Sequence, residues 1–426
     1  MRTLALSRFA LSVCVAALLA GCSAAQPPIG APGAMRLTAG TLPMDRARAS
    51  KYRVLFRFGE SRVGHDGWYP TDPLLYMNGT FYGTTSAGGF SLKCRFCGYG
   101  VIFGLSPSGT YKRLHQFTGG DGAYPAGGVI DVRGTLYGTT YSGGKYGYGT
   151  VFSVTPSGEY RVLYNFNFSD SSTGSAGPLG NLIDVNGKLY GTAISAGTCD
   201  CGEVYSITTQ GKFHPLHVFS GPDGSSPAAG LLNVNGTLYG TTMSGGAYKR
   251  GTVFRITTKG AENVLFSFDG ADGGGPSAPL IAVDGRLYGT TQYGGSASWG
   301  TVFSVTTDGK KERVLHSFSY ENDGARPQAG LIDVNGTLYG TTAFGGIYNK
   351  YVCKGTCGTI FSVTTSGEEH VVYDFAETYE NDGATPAANL IEVKGKLYGT
   401  TEFGGYSPNC GSYPCYDGTV FEFTLV

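Results

Sequence analysis

The sequence predicts an all-β chain folded as a closed seven-bladed β-propeller, with four antiparallel strands to each blade. Three observations carry this. A Tyr-Gly pair recurs at Tyr82, Tyr137, Tyr190, Tyr239, Tyr288, Tyr339 and Tyr398, at spacings of 55, 53, 49, 49, 51 and 59 residues, the length at which propeller blades repeat. Each unit divides into four short apolar runs bounded by Gly, Asn, Asp and Pro, which reads as strands rather than helices. The ends are out of phase: the repeat region begins with a lone fourth-type run, Tyr52 to Phe58, and stops after a third-type run, Gly418 to Val426. A closed ring uses that offset, because the first strand can complete the last blade and leave no open edge. Units of this length with hairpin signals argue against the alternative, a β-solenoid.

Taken in order, the elements begin with an export signal. Arg2 and Arg8 flank the start of an apolar run, Phe9 to Ala20, too short to span a bilayer. It ends in Leu19-Ala20-Gly21-Cys22, which resembles the bacterial lipobox. That resemblance implies cleavage before Cys22 and lipidation of its thiol; Ser23 in the next position implies sorting to an outer membrane. Residues 1–21 are therefore expected to be a signal peptide. Residues 22–50, rich in Ala, Pro and Gly, are expected to be a lipidated cysteine and its flexible tether. Residues 51–426 are expected to form the ring.

Within a unit, the second repeat shows the pattern: GVIDV, TLYGTT, TVFSVT and YRVLYNF. The first two runs are joined by Asn78-Gly79, Asn186-Gly187, Asn235-Gly236, Asp284-Gly285 and Asn335-Gly336, the favoured type I′ hairpin pairs. Arg133-Gly134 and Lys394-Gly395 are poorer versions. In LYGTT, Leu and Gly point one way and Tyr the other. The Gly is expected to admit a neighbouring blade and the Tyr to fill the other interface. Seven copies of one Tyr speak for structure, not catalysis.

From Tyr52 onward the unit G-x-L-Y-G-T-T…G-G…G-T-V-F…D-G…P resembles the bacterial GloVer tandem-repeat proteins. The resemblance implies an exported or surface-anchored propeller. It implies no activity, because no catalytic motif defines the family.

Composition narrows the function classes. Lys plus Arg and Asp plus Glu are each 31 in 426 residues, so no global charge steers the chain to nucleic acid. No cofactor motif is present, and a monomer is expected. Loop length is uneven. From Tyr-Gly to Gly-Thr-Val-Phe the distance is 12 in blades 2 to 5 but 18, 19 and 20 in blades 1, 6 and 7. Around a ring these three are neighbours, so their loops should form one raised sector.

The candidate ligand-binding residues of that sector are Phe90, Lys93, Arg95, Phe96, Tyr348, Lys350, Tyr351, Lys354, Tyr406, Tyr413 and Tyr416, with Trp68 and Tyr69 in an adjacent loop. Aromatic faces among polar donors suit a sugar or a protein partner; packing of the loops on themselves is the plainer reading. The cysteines form local pairs, Cys94/Cys97, Cys199/Cys201, Cys353/Cys357 and Cys410/Cys415. In an exported chain they are candidate disulfides, and no zinc set accompanies them.

His115, His217 and His316 fall where other units carry Phe or Tyr, so they read as packing; His65 stands apart beside Asp66. Asp66, Asp121, Asp223, Asp272, Asp323 and Asp382 precede Gly in loops, where Asp stabilises turns. A polysaccharide hydrolase or lyase using Asp66, Glu377, Glu380 or Asp382 is the enzymatic alternative, and a purely structural envelope protein a third. The leading expectation is a lipid-anchored binding scaffold without a metal.

Overall fold

The structure, a computed structural model, describes residues 51–59, 66–89, 98–168, 174–346, 357–376, 382–404 and 417–425. The fourth blade shows how a unit is built. Leu232–Val234, Thr237–Thr242, Thr252–Thr257 and Glu262–Ser267 pair in sequence order as an antiparallel meander. Six more sheets repeat it, and the described residues contain no helix. Residues just before the first strand of all seven blades, among them Asp72, Gly127, Asn181, Gly230, Pro279, Gln328 and Asn389, line one central cavity. The first strands therefore surround the axis and the fourth lie at the perimeter.

Closure occurs as the offset ends require. Tyr52–Arg57 pairs antiparallel with Thr419–Thr424, with Tyr52 opposite Phe423 and Arg53 opposite Glu422, so the seventh blade is completed from the start of the domain. Arg53 Nε also donates to Glu422 Oε1 at 3.1 Å across this seam.

All seven inner hairpins turn through two consecutive left-handed residues. Asn235 and Gly236 have φ of 52° and 84°, as a type I′ turn requires. Arg133 and Lys394 take the same conformation at 55°, so these poorer turn residues are held there by the repeat around them.

Second and third strands are buried on both faces, for example Leu238 to Thr242, because blades stack on either side. Their threonines are not left dry. Thr242 and Thr252 hydroxyls lie 2.9 Å apart and the Thr242 hydroxyl donates to the Ser244 carbonyl. Such pairing removes the penalty of an unbonded buried hydroxyl.

The role of the repeated Gly differs from expectation. A Cβ on Gly240 would lie 2.5 Å from Phe254 Cζ, and Phe254 is the cross-strand partner of Gly240 within the same blade. The glycine makes room for its own blade's Gly-Thr-Val-Phe ring rather than for the neighbouring blade. That ring in turn receives the edge of Phe219 from the preceding blade, with centroids 5.2 Å apart. The arrangement recurs at every junction, from Phe58 on Phe103 to Phe375 on Phe421. The Tyr of each pair does fill the opposite interface: Tyr398 of the last blade packs on Phe81 of the first, at 4.5 Å.

Candidate functional site

An antiparallel meander sends its second-to-third connections and its blade-to-blade connections to one face of the ring. The hairpins go to the other. The hairpin face carries short turns, so any specialised surface must lie opposite. The exposed large apolar side chains of the described residues confirm the asymmetry. They are Tyr99, Tyr124, Tyr146, Tyr248 and Tyr293, each between 42% and 61% exposed, and Val218. All five tyrosines sit in connections on the loop face.

A repeated clasp fixes that face. The residue before each blade's Pro has positive φ: Tyr69, Tyr124, Gly177, Ser226, Gly275, Arg326 and Thr385, between 52° and 64°. Five of these are not glycine, and a left-handed side-chain-bearing residue persists only when its surroundings hold it. Here its N–H bonds the carbonyl of the blade before. Thr385 N–H donates to Cys357 O at 3.0 Å, Tyr69 N–H to Asp417 O at 3.2 Å and Tyr124 N–H to Tyr99 O at 2.9 Å. Cys357, Asp417 and Tyr99 are the returning stems of the long loops of blades 6, 7 and 1. The clasp thus joins the stems of the three long loops to consecutive junctions of the ring.

Most of the residues expected in this sector, Phe90, Lys93, Arg95, Phe96, Tyr348, Lys350, Tyr351, Lys354, Tyr406, Tyr413 and Tyr416, lie outside the described residues. So do Cys22, His65, Glu377, Glu380, Cys94, Cys97, Cys353, Cys410 and Cys415. Of the two described candidates, Trp68 is buried and paired with Ala87, so its ring is core and not contact surface. Tyr69 is half-buried with its ring 5.6 Å from Phe403. Cys199 and Cys201 are joined as a disulfide. Cys357 is also disulfide-bonded.

An aromatic cluster beside the long blade 6 loop escaped the sequence reading. The Arg326 guanidinium lies 5.3 Å from the Tyr293 ring, 5.9 Å from Trp299 and 5.6 Å from Phe344. Trp299 stacks on Tyr320 at 4.6 Å. These residues come from three separate loops, and Arg326, with φ of 52°, reaches rings of the other two.

Of the carboxylates considered for catalysis, Asp66 and Asp382 are turned into their own loops. Gly59 N–H donates to Asp66 at 3.0 Å, and Ala376 N–H and the Tyr373 hydroxyl donate to Asp382. Asp121, Asp223 and Asp323 behave alike, each accepting from Thr118, Ser220 or Ser319. The turn reading of Asp-Gly holds at these positions.

The central cavity encloses about 130 Å³, below the roughly 300 Å³ of a small-ligand pocket. Its wall carries one blade-specific acid. Asp72 stands where other blades have Gly or Ala, accepting from the Thr84 hydroxyl at 2.6 Å and from Gly127 N–H of the next blade at 2.7 Å. Burial raises its carboxyl to about 6 against those two donors. The folded state then holds the proton more tightly than the unfolded one. The stability this gives is complete below pH 4 and lost as pH rises through 6, by about 3 kcal/mol at most. Asp72→Ala, which copies blades 4 to 7, should make the fall in stability between pH 4 and 7 less steep, as read from denaturation midpoints.

The fold and its two unequal faces define a repeat-built propeller with its elaborated loops on one side. A family model described as the Gloeobacter/Verrucomicrobia repeat matches residues 38–247 and 233–425, and the chain belongs to that family. No curated protein sequence matches it. Among solved structures, an oligogalacturonate lyase in complex with manganese is similar at 11% identity and a TM-score of 0.51, covering 85% of this chain and 90% of that one. At that identity the likeness shows the fold alone. A nidogen/laminin complex (14% identity, TM-score 0.42, 65% of this chain and 90% of that one) and TolB from Acinetobacter baumannii (12%, 0.36, 65% and 59%) are more distant in shape.

Proposed function

We propose that the protein is an exported, lipid-anchored scaffold that binds a glycan through its loop face, centred on the sector of blades 6, 7 and 1 and bordered by the Arg326 cluster. The observation that carries a loop-face site is the placement of every exposed tyrosine of the described residues on that face; its centring on blades 6, 7 and 1 rests on the length of their three connections. Aromatic rings in the open stack on the apolar faces of sugars, while Arg and backbone groups at their rims hydrogen-bond hydroxyls. The Cys22 motif supports the anchor.

The test is a glycan-panel screen of the folded chain lacking residues 1–21. A ligand found there should bind at least tenfold more weakly to a variant combining Tyr293→Ala, Arg326→Ala and Tyr124→Ala, whose thermal transition stays cooperative. A variant with the long loops of blades 6, 7 and 1 shortened to the twelve-residue form should lose binding altogether. Full affinity in both variants, or no glycan bound by the parent chain, would contradict the proposal. In cells, Cys22→Ala should move the full chain from the membrane to the soluble fraction.

A further inference from the structure

The perimeter of the ring contains a second feature that glycan binding does not use. At each junction the fifth residue of one outer strand approaches the first residue of the next. At four junctions both are rings: Phe56 on Tyr111, His115 on Tyr160, Tyr164 on Phe213 and Tyr373 on Tyr52, with centroids 3.7 to 4.8 Å apart. At the other three the first residue is Glu262, Glu312 or Glu369. A carboxylate there replaces a stacked ring.

Between blades 3 and 4 the consequence is specific. The ligand atoms of His217, Asp223 and Glu262 lie within 4.8 Å of one another, and all three side chains are half-buried. His217 Nε2 is 2.9 Å from Asp223 Oδ2. Asp223 Oδ1 accepts from the Ser220 N–H and hydroxyl at 2.8 and 3.0 Å, which fixes the carboxylate plane. Glu262 Oε1, in contrast, is buried and has no hydrogen-bond partner. A carboxylate oxygen withdrawn from water without a donor is costly, and the Tyr or Phe of the other junctions would avoid that cost. Glu312, whose junction offers Phe266 and no histidine, and Glu369 share the buried, unpartnered Oε1, so what distinguishes Glu262 and Glu369 is the His–Asp pair beside each. For Glu369 that pair is His316 and Asp323, 2.9 Å apart.

We propose that the notch between the outer strands of blades 3 and 4 binds a divalent first-row transition metal through His217 Nε2, Asp223 Oδ2 and the Glu262 carboxylate. The His316, Asp323 and Glu369 set repeats the same residue types between blades 5 and 6. One imidazole and two carboxylates suit zinc or manganese; zinc bonds of roughly 2.0–2.2 Å set tetrahedral ligand atoms about 3.4 Å apart, so His217 Nε2 and Asp223 Oδ2, at 2.9 Å, part slightly while the Glu262 oxygen comes nearer. Rotation of the flexible Glu262 side chain brings it in, and the ion replaces the His217–Asp223 hydrogen bond. His217 and Glu262 come from different blades, so the ion fastens two blades together and binds only the folded ring. The junction of blades 1 and 2 is the internal control, because His115 and Asp121 are present there without a Glu.

The experiment titrates Zn2+ alone into untagged chain stripped with EDTA, in a His316→Phe background that copies the Phe266 slot of the adjacent junction. Saturable binding with a rise in Tm is expected. Glu262→Gln should weaken binding at least tenfold and abolish the rise, while Tm in EDTA does not fall. His217→Phe should do the same, and His115→Phe should change neither. Absence of saturable Zn2+ binding would overturn the proposal, as would unchanged affinity in both the Glu262→Gln and His217→Phe variants.

Discussion

A chain shortened by residues 51–58 is expected to lose its sharp unfolding transition, with Tm lowered by roughly 10 °C or more, and to self-associate. Without Tyr52–Arg57 the strand Thr419–Thr424 becomes an unpaired edge, a template for pairing with other chains. Packing is lost on both sides of the seventh blade. Tyr52 stacks on Tyr373 of blade 6 at 4.4 Å and Phe58, fully buried, meets Phe103 of blade 1 at 5.3 Å. Removing buried Phe58, worth about 3 kcal/mol or more on truncation, together with the half-buried Tyr52 and Phe56, consumes a large part of a net stability of about 5–15 kcal/mol. A synthetic peptide of residues 51–59 added in excess should restore part of the lost Tm. Calorimetry and light scattering read both effects. An unchanged transition in the shortened chain would mean that the ring is held by something other than this strand.

The second large effect is expected in the blade interior. Phe254→Ala should destabilise the ring by about 4 kcal/mol, because its ring fills the space over Gly240 and takes the edge of Phe219. Gly240→Ala should cost about 1–3 kcal/mol by overpacking. The new methyl would stand 2.5 Å from Phe254 and 2.9 Å from Leu231 Cδ2. The two positions should be coupled: in a Phe254→Leu background, Gly240→Ala should cost at least 1 kcal/mol less. Denaturant midpoints of the four chains measure this. Additive costs would show that the glycine serves some other contact.

Much of this architecture was legible in the sequence because it depends on local chemistry repeated seven times. Asn-Gly pairs announced the hairpins, and the offset between Tyr52 and Thr424 announced the closure. The alignment of His115 with Phe and Tyr announced a ring-stacking slot, filled by its stack on Tyr160, whereas His217 and His316 meet Glu262 and Glu369 in that slot. What failed to show was whatever depends on a partner across a junction. Nothing near Gly240 in sequence indicates that its neighbour is Phe254 of its own blade and not a residue of the next.

Each outer strand also carries a bulge, such as that between Val253 and Phe254 in its pairing with Glu262–Ser267, which no residue pattern signalled. Trp68 looked like an exposed loop aromatic because its neighbours are Gly, Asp and Pro, yet its pairing with Ala87 pulls it into the core. The Arg326 cluster draws on residues 293, 299, 326 and 344, with a left-handed backbone at Arg326 just before Pro, a combination disfavoured locally. Glu262 was invisible for the same reason as Gly240. The residues it meets, His217 and Asp223, belong to the blade before it, far away in sequence.

Contiguity of the long loops, and with it the functional reading, rests on closure of the ring. The direct measurement is oxidative cross-linking of an Arg53→Cys, Glu422→Cys chain, followed by peptide mass spectrometry without reduction. A single disulfide-linked peptide pair joining positions 53 and 422 is expected, since the two face each other in the pairing of Tyr52–Arg57 with Thr419–Thr424. Free thiols at both positions in a folded chain would contradict closure.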